Sequence, residues 1–173
     1  MGVMLYLHRM EQIHNIAHRR FSYGQFRTAA GLSKKEADNW VKAGVIAAGP
    51  ANGHRREYRF ESIFEGIIAK QLADFSSREL LPKTMAALRT SLRREGIEPT
   101  KISENPGGPR KLLRVYTHVS KEIMPGGGIR GVISYVAPYD PLSREIIKSV
   151  FVVVDLTLIA LETWTAIGHL PPS

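Results

Sequence analysis

Residues 23–60 read YGQFRTAAGLSKKEADNWVKAGVIAAGPANGHRREYRF, and the order of helix and turn signals along them decides the fold. A short helix is expected over 24–30. It meets a Gly-Leu-Ser turn at Gly31, Leu32 and Ser33. A second helix is expected from Ser33 to about Ala43. Ser33 is a good N-cap, because its hydroxyl accepts from a free amide of the first turn. Glu36, three residues on, completes a capping-box pattern. Ala37, Trp40 and Val41 share an inward face at helical spacing, and Trp40 is expected in the core. Lys34, Lys35, Asp38, Asn39 and Lys42 are left facing outward. Gly44 ends the helix, since glycine takes a positive φ without penalty. Val45 and Ile46 are expected to begin a strand, and residues 49–53 carry turn chemistry. Residues 55–60 return as the second strand of a hairpin, with Tyr58 and Phe60 on one side.

Working outward, residues 61–75 form a helix with Ile63, Phe64, Ile67, Ile68 and Leu72 as its buried stripe. Residues 77–95 form another, with Leu80, Leu81, Met85, Leu88 and Leu92 apolar. Pro82 falls in its first turn or two, where proline is tolerated best. Upstream, residues 5–20 have loosely helical apolar spacing and read as an arm or extra helix. Residues 96–110 are rich in proline and glycine and read as a linker. Beyond it, 112–118, 131–136 and 149–155 are strand candidates, although Leu112, Leu113, Tyr116, Val119 and Ile123 also fit a helix. A final helix is expected over 156–167, with Leu158, Ile159, Leu161, Trp164 and Ile167 apolar. The fold class expected is α+β: an arm over 1–21, a helical and hairpin domain over 22–95, the linker, and a strand-rich domain over 111–173 that ends in a helix.

Charge is unevenly placed along the 173 residues. The net charge is +8, and residues 1–95 hold 16 Lys and Arg against 9 Asp and Glu, while 96–173 hold 8 against 7. A basic excess gathered on one segment is what attraction to a phosphate backbone requires. There is no cysteine, which excludes disulfides, thiolate metal sites and a cysteine nucleophile, and fits a reducing cytoplasm. The longest apolar run, 150–154, falls far short of the roughly 20 residues of a membrane helix. A cytoplasmic protein without membrane contact is expected.

Two helices across a tight turn, followed by a basic hairpin, would place one helix in a DNA groove and the hairpin on the flanking backbone. Lys34 and Lys35 open the second helix, where side chains first reach bases or phosphates. Asn39 suits bidentate pairing with adenine, and lysine donates to guanine. Lys42, near the helix end, suits phosphate, and Arg55 and Arg56 suit phosphate or the minor groove. Arg27 is a candidate phosphate clamp. Tyr58 is expected to pack the hairpin on the helices, with its hydroxyl near the backbone, and Ser33 borders the same surface. Arg19 and Arg20 lie just before the motif, as phosphate contacts or solvated charges.

These residues resemble the winged helix-turn-helix domain of MerR-type transcription regulators over about 22–75. Ala29, Gly31, Leu32 and Ser33 match at the turn, Trp40 in the second helix, Gly44-Val45-Ile46 after it, and Arg56-Glu57-Tyr58 the Arg-x-Tyr signature of the wing. The resemblance implies double-stranded DNA as partner. Asp38 stands where the family usually has an arginine, an acid that repels phosphate unless it accepts from cytosine or pairs with a nearby cation. Classical members continue into a long coiled coil, unlike the strand-rich second half here. Phage excisionases and terminase small subunits resemble the same winged domain.

The function expected is a sequence-specific transcription regulator. The alternatives are a DNA-architectural factor of phage or mobile-element type, and a sensor or adaptor that has lost DNA binding. Two-fold-related half-sites favour a homodimer, with the second half as its assembly region; a small-molecule or protein effector is left open. His14 and His18 share a helix face without an evident third ligand, so no metal is expected. Gly126-Gly127-Gly128 lacks the Gly-Lys pattern of a phosphate loop. No cofactor or catalytic activity is expected.

Overall fold

The computed structural model describes residues 19–49, 51–52, 55–76, 78–104, 109–123, 129–138 and 151–170. The expected arm over 1–18, the His14/His18 pair and the Gly126–Gly128 loop lie outside the described residues. The elements are α1 (Tyr23–Ala29), α2 (Lys34–Lys42), β1 (Ala51–Asn52), β2 (Arg55–Arg56), α3 (Phe60–Ala73), α4 (Leu80–Arg94), α5 (Pro99–Glu104), β3 (Leu112–Ile123), β4 (Ile129–Pro138), β5 (Phe151–Asp155) and α6 (Leu156–Gly168). The class is α+β, as expected.

The turn between α1 and α2 is set by Gly31 at φ 62°. The Leu32 amide donates to the Arg27 carbonyl at 2.9 Å and the Gly31 amide to Thr28 at 3.1 Å, so the last carbonyls of α1 are satisfied by a Schellman closure. The turn then rests on α3 at Gly66. A Cβ there would sit 2.8 Å from the Ala30 Cβ and 3.5 Å from Leu32 Cδ1. Only glycine lets the turn approach α3 this closely. Ile63, Phe64, Ile68 and Leu72 make α3 the central helix, each fully buried.

The hairpin differs from expectation. Val45 and Ile46 form no strand: their amides both reach back to the Trp40 carbonyl, at 2.8 and 3.3 Å, so they finish α2 instead. Their side chains are buried, which produced the strand-like pattern. The first strand lies later, at β1, and pairs Ala51 with Arg56 and Asn52 with Arg55. β2 is correspondingly short. Tyr58 pairs with Phe21 in an isolated bridge, and Phe60 opens α3. Tyr58 and Phe60 are both buried, but not as alternate residues of one strand.

β3 lies at the centre of an antiparallel sheet in the order β4-β3-β5, so the strand alternative for 112–123 is the one realised. Leu113 faces Val154 across the β3–β5 pair, and Val115 faces Val152. Leu113, Val115 and Val154 are buried, on the face that alternation brings together. Asp155 ends the apolar run as the N-cap of α6, accepting from the Leu158 amide at 3.0 Å.

The stretch read as a linker contains α5. Pro99 starts it, a position where a missing amide costs nothing, and Ile97 and Ile102 pack on the core. Helix α6 lies against α5 and α3, and α4 lies against β3 and β4. One buried cluster therefore includes Phe26, Phe64, Leu88, Leu113 and Ile159, joining side chains from both halves of the chain. On α6 the buried face is Leu156, Ile159, Ala160, Thr163 and Ile167. Leu158 and Leu161, expected in the apolar stripe, are instead 47% and 45% exposed, because the helix is apolar nearly all round and buries a different face.

Candidate nucleic-acid interface

The candidate interface is built on α2, whose N-terminal end is closed by the expected capping box. The Glu36 amide donates to Ser33 Oγ at 3.2 Å, and the Ser33 amide donates to Glu36 Oε2 at 2.7 Å. Hydrogen bonding of its carboxyl to Ser33, to the side chain first and then the backbone, holds Glu36 below its usual range. Ser33 is exposed, but its hydroxyl is already engaged in the cap. Asp38 accepts from the Tyr23 hydroxyl at 2.6 Å, and the same hydroxyl lies 3.2 Å from the Lys34 carbonyl. Burial, and then the bond to Asp38, push the Tyr23 phenol up to about 12. Asp38 is thus tied to α1 through a neutral tyrosine, and it forms no salt bridge with a described residue.

The other end of α2 is closed from a distance. Arg89 on α4 donates from Nη1 to the Gly44 carbonyl at 3.0 Å and from Nη2 to the Val45 carbonyl at 2.6 Å. The same guanidinium grips Glu65 of α3, at 2.7 Å from Nε and 2.9 Å from Nη2. Glu65 Oε2 in turn accepts from the Ala47 amide at 2.7 Å. Ser62 Oγ donates to the Ala47 carbonyl at 2.8 Å and accepts from the Arg59 amide at 3.3 Å. A charge buried this far requires such full pairing. Gly44 at φ 72° completes the junction.

Between these two anchors, α2 turns an exposed polar ridge outward. Lys35, Asn39 and Lys42 are exposed and recur at i, i+4 and i+7, one above another on the helix. At a rise of about 1.5 Å per residue they span roughly 10 Å, comparable to about three base-pair steps. A groove lies on each side. One is bordered by Tyr23, Asp38, Lys42, Arg56 and Tyr58. The other is bordered by Lys35, Asn39, Trp40, Ser76 and Arg78. Ser76 Oγ is buried there without a hydrogen-bond partner among the described residues.

The expected site residues separate into two groups. Lys34, Lys35, Asn39, Lys42 and Arg56 are exposed, and the cations among them form no salt bridge with a described residue. Arg55 lies on β2; its side chain is outside the described residues. Arg27 is half-buried and donates to the Leu32 carbonyl at 3.3 Å, so it closes the turn. Tyr58 is 3% exposed and stacks on Phe26, centroids 4.2 Å apart at 5°. Such a pair adds about 1 kcal/mol beyond area burial, and burial raises the Tyr58 phenol. It holds the hairpin and offers little surface to a partner. Trp40, expected in the core, is only half-buried against it. Arg20 pairs with Glu57 at 2.7 Å, and Arg19 lies over the Phe21 ring at 5.3 Å.

Sequence reasoning missed Tyr23, Ser62, Glu65, Gly66, Arg78 and Arg89. One signal was present: Glu65 falls inside the apolar stripe of α3, and a carboxylate there needs a buried partner. Nothing in the pattern pointed to Arg89 as that partner. Among the described residues no cluster of His, Asp and Glu suits a metal, and no helix is long and apolar enough to cross a membrane. The chain matches no protein-family model and no curated protein.

Proposed function

We propose that this protein binds double-stranded DNA sequence-specifically and regulates transcription, with α1, the Gly31 turn and α2 as a helix-turn-helix and β1–β2 as its wing. The observation that carries the reading is the exposed ridge of Lys35, Asn39 and Lys42 on a helix anchored at both ends. In the major groove Asn39 would pair with adenine and Lys35 with guanine or phosphate. Lys34, Lys42, Arg56 and Arg78 would contact phosphates on either side. The basic excess of residues 1–95 supports the same partner. The Tyr23 hydroxyl holds the Asp38 carboxylate towards α1, beside the ridge and not on it. A homodimer would match two-fold-related half-sites.

Selection of genomic fragments by the purified protein at two salt concentrations tests the proposal. The expected result is a recurrent motif that survives the higher salt, as an inverted repeat for a dimer, located at promoters. Recovery that vanishes with salt and shows no motif would point to an architectural factor. A motif at attachment or packaging sites would do the same. Absence of any recovery would refute DNA binding.

A further inference from the structure

We infer that Arg89 is the positioning residue of DNA recognition: its guanidinium sets where the last turn of α2 and the hairpin stand on the body of the protein, and it contacts no DNA itself. The inference rests on the DNA-binding reading above. Arg89 sits on α4 in the basic segment, where a cation is readily taken for a phosphate contact. Its geometry says otherwise. Four donor contacts run from its Nε, Nη1 and Nη2 to Glu65 Oε1, Glu65 Oε2, Gly44 O and Val45 O, out of five N–H groups on a guanidinium. Its side chain is only 19% exposed.

What it holds is the joint between the ridge and the wing. Gly44 and Val45 carry the carbonyls at the end of α2, two and three residues past Lys42. Glu65, fixed by the same guanidinium, holds the Ala47 amide on the way to the hairpin. The planar fork reaches two carbonyls and a carboxylate together, which a lysine ammonium, a single point of donation, does not. Base-edge readout tolerates only about half an ångström of displacement in the residues that perform it, whereas attraction to the phosphate backbone depends chiefly on charge. Loosening the joint should therefore cost discrimination and spare nonspecific binding.

The test compares Arg89→Lys and Arg89→Gln with the wild-type full chain. Each is titrated against the duplex recovered by fragment selection and against a scrambled duplex, over a series of salt concentrations. The expected result is that both variants lose about tenfold or more in the ratio of specific to scrambled affinity, on the order of one base contact. Affinity for the scrambled duplex and its salt slope should stay at wild-type values. If Arg89→Lys keeps the wild-type ratio, charge alone suffices and the inference is overturned. If Arg89→Gln lowers the salt slope by about one for both duplexes, Arg89 is a phosphate contact and the inference is again overturned. Equal loss on both duplexes at unchanged slope would mean only a smaller folded fraction, and would also overturn it.

Should the Arg89 variants fail to fold, as judged by circular dichroism, Ser62→Ala loosens the same joint through the Ala47 carbonyl. It should lower the ratio several-fold at unchanged slope, and an unchanged ratio would refute the inference. A wild-type protein that shows no preferred duplex would defeat the functional proposal itself. A discriminating wild type with discriminating Arg89 variants would defeat only this inference.

Discussion

At its N-terminal end α2 is held by Ser33 and Glu36, three residues apart and facing solvent, with Tyr23 reaching across to Asp38 from the preceding helix. At its C-terminal end it is held by Arg89, more than forty positions downstream, and by Glu65, eighteen positions beyond Ala47. The first anchor is local and wet; the second is long-range and mostly buried. The difference decides how much each is worth. A solvent-facing cap competes with water, and losing it returns its groups to water. A buried ion pair that loses one partner leaves the other charge desolvated without compensation. The end of the helix that joins the hairpin is therefore the one with most to lose.

Glu65→Ala should have the largest effect. It strips the Arg89 guanidinium of two contacts and the Ala47 amide of its acceptor. Truncating one member of a buried pair typically costs about 3 kcal/mol or more. Urea denaturation of the wild type and the variant measures it directly, and a cost below about 1 kcal/mol would place this anchor on a level with a surface pair. That result would erase the contrast between the two ends.

Ser33→Ala sharpens the contrast from the other side. Removing an N-cap hydroxyl costs about 1 kcal/mol, and the same denaturation experiment should return that smaller value. It should also depend on pH. The Ser33 hydroxyl is the first cause of the depressed Glu36 carboxyl. A carboxyl held low in the folded state contributes stability above its ordinary range, and the contribution disappears as pH falls through its folded pKa. The gap between wild type and Ser33→Ala should therefore narrow in acid. A gap that stays constant would mean that Glu36 does not share in the cap.

The same contrast explains what could be read in the chain. Gly31, Ser33, Glu36 and Gly44 act on neighbours within a few residues, so α1, the turn and α2 were legible within one residue at most of their ends. The buried stripes of α4 and, apart from the half-buried Ile67, of α3 were legible for the same reason, since helical periodicity is local. Arg89 and Glu65 lie far apart in the sequence, and no spacing rule joins them. Val45 and Ile46 misled because burial and strand propensity look alike in a short apolar run, and only the amides returning to Trp40 distinguish them. On α6 the pattern failed differently: with apolar residues on nearly every side, it did not say which face would be covered, and Leu158 and Leu161 came out exposed. The ridge of Lys35, Asn39 and Lys42 was fully legible, while the loss of Arg27 and Tyr58 to internal contacts was not.

The smallest effect is expected at Tyr23, and it is the most specific. Tyr23→Phe removes an exposed hydrogen bond to Asp38 and should cost about 1 kcal/mol or less. Its signature lies in alkali. The phenol is held at about 12 against an ordinary 10.0, by burial first and by Asp38 second. Because the folded value is raised, the contact stabilises fully below pH 10 and is lost as pH rises from 10 towards 12. Absorbance titration of the folded wild type should show a phenol that resists ionisation to about pH 12, and this phenol should be missing from Tyr23→Phe. Asp38→Asn should lower that value without restoring it to 10.0, since burial is the larger cause. If the two titrations instead differ by a phenol that ionises near 10, Tyr23 does not bind Asp38. The acid would then stand free beside the ridge, where it repels phosphate, and the N-terminal anchor would shrink to its capping box alone.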